Sequence, residues 1–217
     1  KPVFNTILGP YGKRPDLTLS DGTNVWINSG SRFVYPAVFK GDNREVYLEG
    51  EAIFDVTHNS QRPFKVLCSN QEVKVLGTVF SINNYDVDEK TSTVLKSGSV
   101  LITYPKNEGK SFKITPGTRS SYNSTTKEIE IQHAVNMDEY FGWREGFFSF
   151  KNNDLKYIAT KLSRYYGVEI SVRGEQMGKE TYSGRIDLKE EVNIVIQTLG
   201  KGCHFSMERQ ADKIIST

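Results

Sequence analysis

Residues 44–85, REVYLEGEAIFDVTHNSQRPFKVLCSNQEVKVLGTVFSINNY, decide how this chain is read. Val46 and Leu48 alternate with polar neighbours, Glu49 and Gly50 interrupt, and Ala52, Phe54 and Val56 resume the alternation. A polar link follows, and then Phe64, Val66, Cys68, Val73, Val75, Gly77, Phe80 and Ile82 repeat the pattern. Period-two alternation of this kind predicts half-buried strands, and the glycines predict corners where a Cβ would strain the backbone. The same construction recurs upstream at Gly22 and downstream at Gly98 and Gly117, so Gly22, Gly50, Gly77, Gly98 and Gly117 are five expected corners. With β-branched and aromatic residues on one face and Asp, Asn, Ser and Gly between runs, residues 16–132 read as all-β. A solenoid-like stack of short strands is expected, with a β-sandwich as the alternative.

Working outward, residues 1–15, with Pro2, Pro10 and Pro15 beside Gly9 and Gly12, read as an extended lead-in rather than a packed element. The strand KEIEI (127–131) is the last of the alternating pattern, the period is lost from Gln132 to Asp138, and residues 133–142 are expected to be a linker. Beyond it the spacing changes. Phe147–Phe150 reads as a strand, and Leu155, Ile158, Ala159, Leu162 and Tyr166 share one face of a helix capped by Asn152–Asp154 and stopped by Gly167. Val168, Ile170 and Val172 then alternate. The unit recurs: 192 minus 155, 195 minus 158, 199 minus 162, 205 minus 168 and 207 minus 170 all give 37. Residues 143–217 therefore read as two similar β-α-β units packed as one small domain, and the whole chain as α+β with two domains.

Composition supports cores and excludes some partners. The 217 residues are 37% hydrophobic and 12% aromatic, enough for two modest domains. Net charge is +2, with 28 basic and 26 acidic residues scattered, so no nucleic-acid partner is indicated. No apolar run approaches the roughly 20 residues of a membrane span, and a chain opening at Lys1 is expected to be a piece of something longer whose anchor is missing. Cys68 and Cys203 share strand parity with apolar neighbours in different proposed domains, so they read as two small buried hydrophobes rather than a disulfide.

The run from LSDGTNVWINSGSRFVYP (19–36) through REVYLEGEAIFDV, RPFKV and VKVLGTVFSINNY to TVLKSGSVLI (93–102) resembles the FecR-type periplasmic domain of bacterial anti-sigma regulators. The elements L-x-G-E-A-x-F-x-V and V-L-G-T-x-F carry that resemblance together. WREGFFSFKNNDLKYIATKLSRYYGVEISV (143–172) resembles the C-terminal region of such regulators of the Bacteroidetes type, which is similar to the STN signalling domain of secretins and TonB-dependent receptors. The resemblance implies a periplasmic part of an inner-membrane-anchored protein. Its implied partners are the signalling domain of a TonB-dependent outer-membrane receptor and, through a cytoplasmic segment absent from this chain, a sigma factor.

Candidate chemistry is sparse. Glu49 and Glu51 flank Gly50 as a carboxylate pair, but a corner exposes such residues, and His58, His133 and His204 lie far apart. Asp86, Asp88 and Glu89 lack the spacing of a calcium loop. No nucleophile elbow, phosphate loop or zinc signature occurs. No catalytic, cofactor or metal residue is expected. A carbohydrate-binding β-domain is the alternative function, and it needs a coplanar aromatic row for which Trp26 and Tyr35 are the candidates; a β-helical lyase or hydrolase needs a charged cleft. Protein–protein recognition is the favoured class. Its candidate surface is the strand Thr181–Asp187, with Thr181, Tyr182, Gly184, Arg185 and Ile186 as contacts, because an open strand edge accepts a partner's strand.

Overall fold

In the computed structural model, which describes residues 3–173, 180–201 and 206–209, Arg44–Asp55 is one unbroken strand. Gly50 is not a corner that ends it. The chain divides into two compact units, one formed by Lys1–Gly9 and Arg14–Asn136, the other by Pro10–Lys13 and Met137–Thr217.

The first unit is all-β. Its strands are β1 (Phe4–Leu8), β2 (Asp16–Thr18), β3 (Asn24–Ile27), β4 (Arg32–Pro36), β5 (Arg44–Asp55), β6 (Phe64–Leu67), β7 (Glu72–Val75), β8 (Val79–Asn84), β9 (Lys90–Ser97), β10 (Val100–Tyr104), β11 (Lys110–Ile114), β12 (Arg119–Asn123) and β13 (Ile129–Gln132). They join in a single sheet through β5, which belongs to two halves of it. Its N-terminal part lies between antiparallel β4 and parallel β6, and its C-terminal part between antiparallel β3 and β8. The exchange happens at Gly50, whose φ of +108° favours glycine. Ser31 Oγ pins this point by accepting from the Glu51 N–H at 2.9 Å and donating to the Glu51 carbonyl.

The sheet curls so that both halves share one core. Phe54 stacks on Phe80 at 5.0 Å between centroids and meets Phe33 and Phe64 of the other half at 6.0 and 6.1 Å. Each such ring, fully buried, stabilises the fold by about 1.5–3 kcal/mol. Tyr104 crosses the core to share a 2.7 Å hydrogen bond with Ser120, and burial pushes its phenol up to about 12. The solenoid expectation is corrected in one respect. Stacked rungs would pair in parallel, whereas among the described pairs of this unit only β5 with β6 does so.

Arg44 is only 1% exposed. Its Nη1 donates to Asp21 Oδ2 at 2.7 Å and to the Thr57 carbonyl at 2.9 Å, and its Nε donates to the Arg62 carbonyl at 2.8 Å. A buried charge needs partners of this kind, and Nε and Nη1 find them while the buried Nη2 has none. The network ties the Asp21–Gly22 turn to two later loops.

Of the five glycines expected as corners, Gly22, Gly98 and Gly117 lie in turns with positive φ. Gly77 is different. Its φ is not left-handed, and it is small because a Cβ would lie 2.6 Å from the Cα of His58. The lead-in is corrected as well: residues 4–8 pair with β4 in full antiparallel register, and Ile7 packs on the core.

In the second unit, α1 (Asp138–Glu145) occupies the place where a linker was expected. It buries Phe141 and Trp143, and a Cβ on Gly142 would meet the Phe147 ring. There follow β14 (Phe147–Asn153), α2 (Leu155–Tyr166), β15 (Ile170–Arg173), β16 (Tyr182–Asp187), α3 (Val192–Lys201) and β17 (Ser206–Arg209). Asp154 caps α2 by accepting from the Tyr157 N–H at 2.7 Å, and Gly167 closes it at φ +69°. Pro10–Lys13 belongs here because Tyr11 and Gly12 lie against that cap: a Cβ on Gly167 would be 2.9 Å from the Tyr11 carbonyl carbon. The two helices begin 37 residues apart (192 minus 155). Equivalent strands pair with each other, β14 with β16 and β15 with β17, both antiparallel. Gly202, Cys203, Phe205 and the loop from Gly174 lie outside the described residues.

Candidate functional site

The strand singled out from sequence is β16, and among the described residues it pairs with β14 alone. Its register fixes which backbone groups are free. Leu188 N–H donates to the Gly146 carbonyl at 2.9 Å, and Phe148 lies opposite Ile186 and Phe150 opposite Gly184. Hydrogen-bonded and non-hydrogen-bonded pairs alternate in an antiparallel ladder. Gly184 and Ile186 therefore turn their N–H and C=O groups toward β14, while Arg185 and Asp187 turn theirs to the open side.

The side chains sort in the same way. Ile186 is 9% exposed and part of this unit's interior, so it is not a free contact. Gly184 makes room for Phe150, whose ring tip would stand 3.1 Å from an added Cβ. Thr181 is exposed just before the strand. Tyr182 is half-buried and its hydroxyl donates to Glu180 Oε2 at 2.7 Å. Arg185 lies flat on Phe147 with its guanidinium carbon 3.5 Å from the ring centroid, and its Nη1 is 3.8 Å from Asp138 Oδ2. An exposed ion pair at that distance adds little, but the cation–π contact holds the guanidinium in place.

The ladder is interrupted. Between Phe150 and Asn153 the register shifts, Asn152 adopts φ +54°, and its N–H donates to Ser183 Oγ at 3.0 Å. Pairing resumes at Asn153 opposite Tyr182, and the regular stretch before this bulge leaves a short edge with outward donors and acceptors at Arg185 and Asp187. An edge of that kind suits an extended peptide strand. The outward backbone of Asp187 and the bulge partner Ser183 were not read from sequence, and Asn152, expected as a capping residue of α2, belongs to the bulge instead. The Asn152-Asn153 dipeptide is the one signal for the bulge, since Asn tolerates left-handed backbone.

Other candidates separate. Glu51 is buried and accepts from Asn28 Nδ2 at 2.9 Å, while Glu49 is exposed, so they do not form a working carboxylate pair. Among the described residues no three metal-binding side chains gather, and Asp86 accepts from the Ser69 hydroxyl. His58 lies beneath Gly77, His133 shares a 3.2 Å hydrogen bond with Thr118, and His204 lies outside the described residues. Of the two rings expected for a sugar platform, Trp26 and Tyr35 are both half-buried, and Tyr35 stacks on Phe33 of its own strand. Cys68 borders a 530 Å³ groove with Tyr47, Asn84 and Asp86, but burial, aided by Asp86, raises its thiol well above the usual range and keeps it protonated. A protonated thiol is a poor nucleophile.

The description "FecR protein" matches residues 6–101, and "FecR, C-terminal" matches residues 147–216. Two crystal structures of a candidate anti-sigma factor from Parabacteroides distasonis ATCC 8503 share the fold. One aligns with a TM-score of 0.84 at 24% identity over 95% of this chain and 100% of that one; the other gives 0.83 at 24% identity over 96% and 100%. No curated relative matches. With both regions matched, in the order in which the sequence carries them, this chain belongs to the FecR family of anti-sigma factors.

Proposed function

We propose that this chain is the extracytoplasmic sensor part of a membrane-anchored anti-sigma regulator, relaying a signal from an outer-membrane TonB-dependent transducer to an extracytoplasmic-function sigma factor. The observation that carries the reading is the open side of β16, where Arg185 and Asp187 offer backbone groups to a strand that none of the described residues supplies. Family membership supplies the class of the protein. The second unit, similar in its β-α-β repeat to STN signalling domains, is the docking module, and the transducer's own signalling domain contributes the added strand. The sigma factor is engaged through a segment on the other side of the inner membrane. No helix among the described residues is long and apolar enough to cross a membrane.

Affinity purification with this chain as bait from envelope extracts tests the reading. Enrichment of a TonB-dependent receptor is the expected result. A bait that retains only soluble glycan-processing proteins, or glycan itself, would favour the carbohydrate-binding alternative.

A further inference from the structure

β1 is the least protected margin of the first unit's sheet. Among the described residues four strands of this sheet have a single neighbour: β1, β2, β11 and β13. β2 has three residues and carries Asp16, β11 carries Lys110 and Lys113, and β13 carries Glu130. Short length and charge are the usual devices that keep an edge from pairing with another chain. β1, with the sequence FNTIL, has no charge, no proline and no bulge, and it exposes Phe4 at 49% and Leu8 at 66%.

Its ladder with β4 shows which groups are open. Ala37 N–H donates to the Val3 carbonyl and Gly9 N–H to the Ser31 carbonyl, so the odd-numbered residues bond β4. Phe4, Thr6 and Leu8 therefore direct N–H and C=O away from the sheet. These three residues are spaced for a two-fold partner. In an antiparallel pair centred on Thr6, Thr6 faces its own copy and Phe4 faces Leu8, and every outward group finds a mate in about six N–H···O bonds.

We infer that β1 is a self-association edge, joining two copies of this chain through an antiparallel β1 pair with Thr6 on the two-fold axis. The absence of charge matters. Two identical charged strands would repel, whereas this one pairs with itself without cost from like charges. The inference is independent of the docking proposed for β16. One strand pair buries less than a standard interface, so the dimer is weak and forms at high local concentration.

Sedimentation equilibrium of the full chain over a wide concentration range tests this. The expected result is a monomer–dimer equilibrium weakened at least about tenfold by Thr6→Pro, which removes an outward donor, and by the double variant Phe4→Lys with Leu8→Lys, which keeps every backbone group. Register has its own readout. In a Cys203→Ser background, Thr6→Cys should oxidise to a disulfide-linked dimer, while Phe4→Cys, whose copies would lie about 14 Å apart, should not. A chain that stays monomeric throughout overturns the inference. So does a dimer unaffected by the lysine pair, or equal cross-linking at residues 4 and 6.

Discussion

The backbone of Gly50 lies directly against Ser31: a Cβ on Gly50 would stand 2.7 Å from the Ser31 Cα, closer than real side chains approach. That contact is where β5 passes from one half of the sheet to the other. Gly50→Ala combines a clash with an unfavourable φ and should destabilise by about 2 to 4 kcal/mol. Gly77→Ala meets only the clash with His58 and should cost about 1 to 3 kcal/mol. Gly117→Ala, at φ +83° with nothing within 4 Å of an added Cβ, should cost only about 1 kcal/mol. Urea midpoints of the three variants check this order; a Gly50 variant that unfolds like Gly117→Ala contradicts it.

Arg44 and Asp21 form a pair whose partners cannot be removed equally. Arg44→Ala strands Asp21 and empties a site enclosed by Thr57, Arg62 and Phe64, and a loss of about 3 to 5 kcal/mol is expected. Asp21→Asn keeps one acceptor oxygen, for the Thr23 N–H or for Arg44 but not for both, while Arg44 retains the Thr57 and Arg62 carbonyls, so about 1 to 3 kcal/mol is expected. Equal losses in thermal melts would show that the charge itself, rather than the set of hydrogen bonds, holds the turn.

Cys68 makes stability depend on alkaline pH. Its folded thiol titrates above the free value of about 8.5, so above that pH the unfolded chain gives up a proton that the folded chain keeps. Stability therefore falls as pH rises past the free thiol value, and part of that fall is absent in Cys68→Ala. Denaturation midpoints of parent and variant at pH 7 and pH 10 measure the difference. Identical pH dependence would contradict the half-buried, protonated thiol.

Asp154 tests whether the second unit's helix depends on its cap. Asp154→Ala removes the acceptor for the Tyr157 N–H and should cost about 1 kcal/mol in that unit. Hydrogen exchange should show the loss within Leu155–Tyr166, with protection in β5 unchanged. A loss spread over both units would contradict the prediction.

The period-two runs and the switch to helical spacing were legible because one-sided burial writes itself into the order of residues. Val46, Leu48, Phe54 and Phe80 are buried as their alternation requires, and Leu155, Ile158 and Leu162 form the buried stripe of α2. What escaped was set by tertiary contact. α1 has no apolar stripe, only Phe141 and Trp143 buried around a glycine that admits Phe147. β1 is a strand because β4 offers an edge, although its prolines and glycines nearby suggested a tether. Gly50 looks the same in sequence whether the chain turns back or changes partners. The candidate edge was legible as a strand, but not which of its residues face outward. Gly184 was expected as a partner contact, and the group that approaches it is Phe150 of its own sheet.

In the proposed docking the transducer's signalling domain adds a strand to β16. Isothermal titration of that isolated domain into this chain is run beside Arg185→Ala and Arg185→Pro. Expected are binding by the parent, a modest loss for Arg185→Ala, which lacks the contact with Phe147, and at least about a tenfold loss for Arg185→Pro, which also lacks the outward N–H. Circular dichroism establishes first that both variants stay folded. No binding by the parent, or a folded Arg185→Pro that binds as well as Arg185→Ala, would contradict this docking.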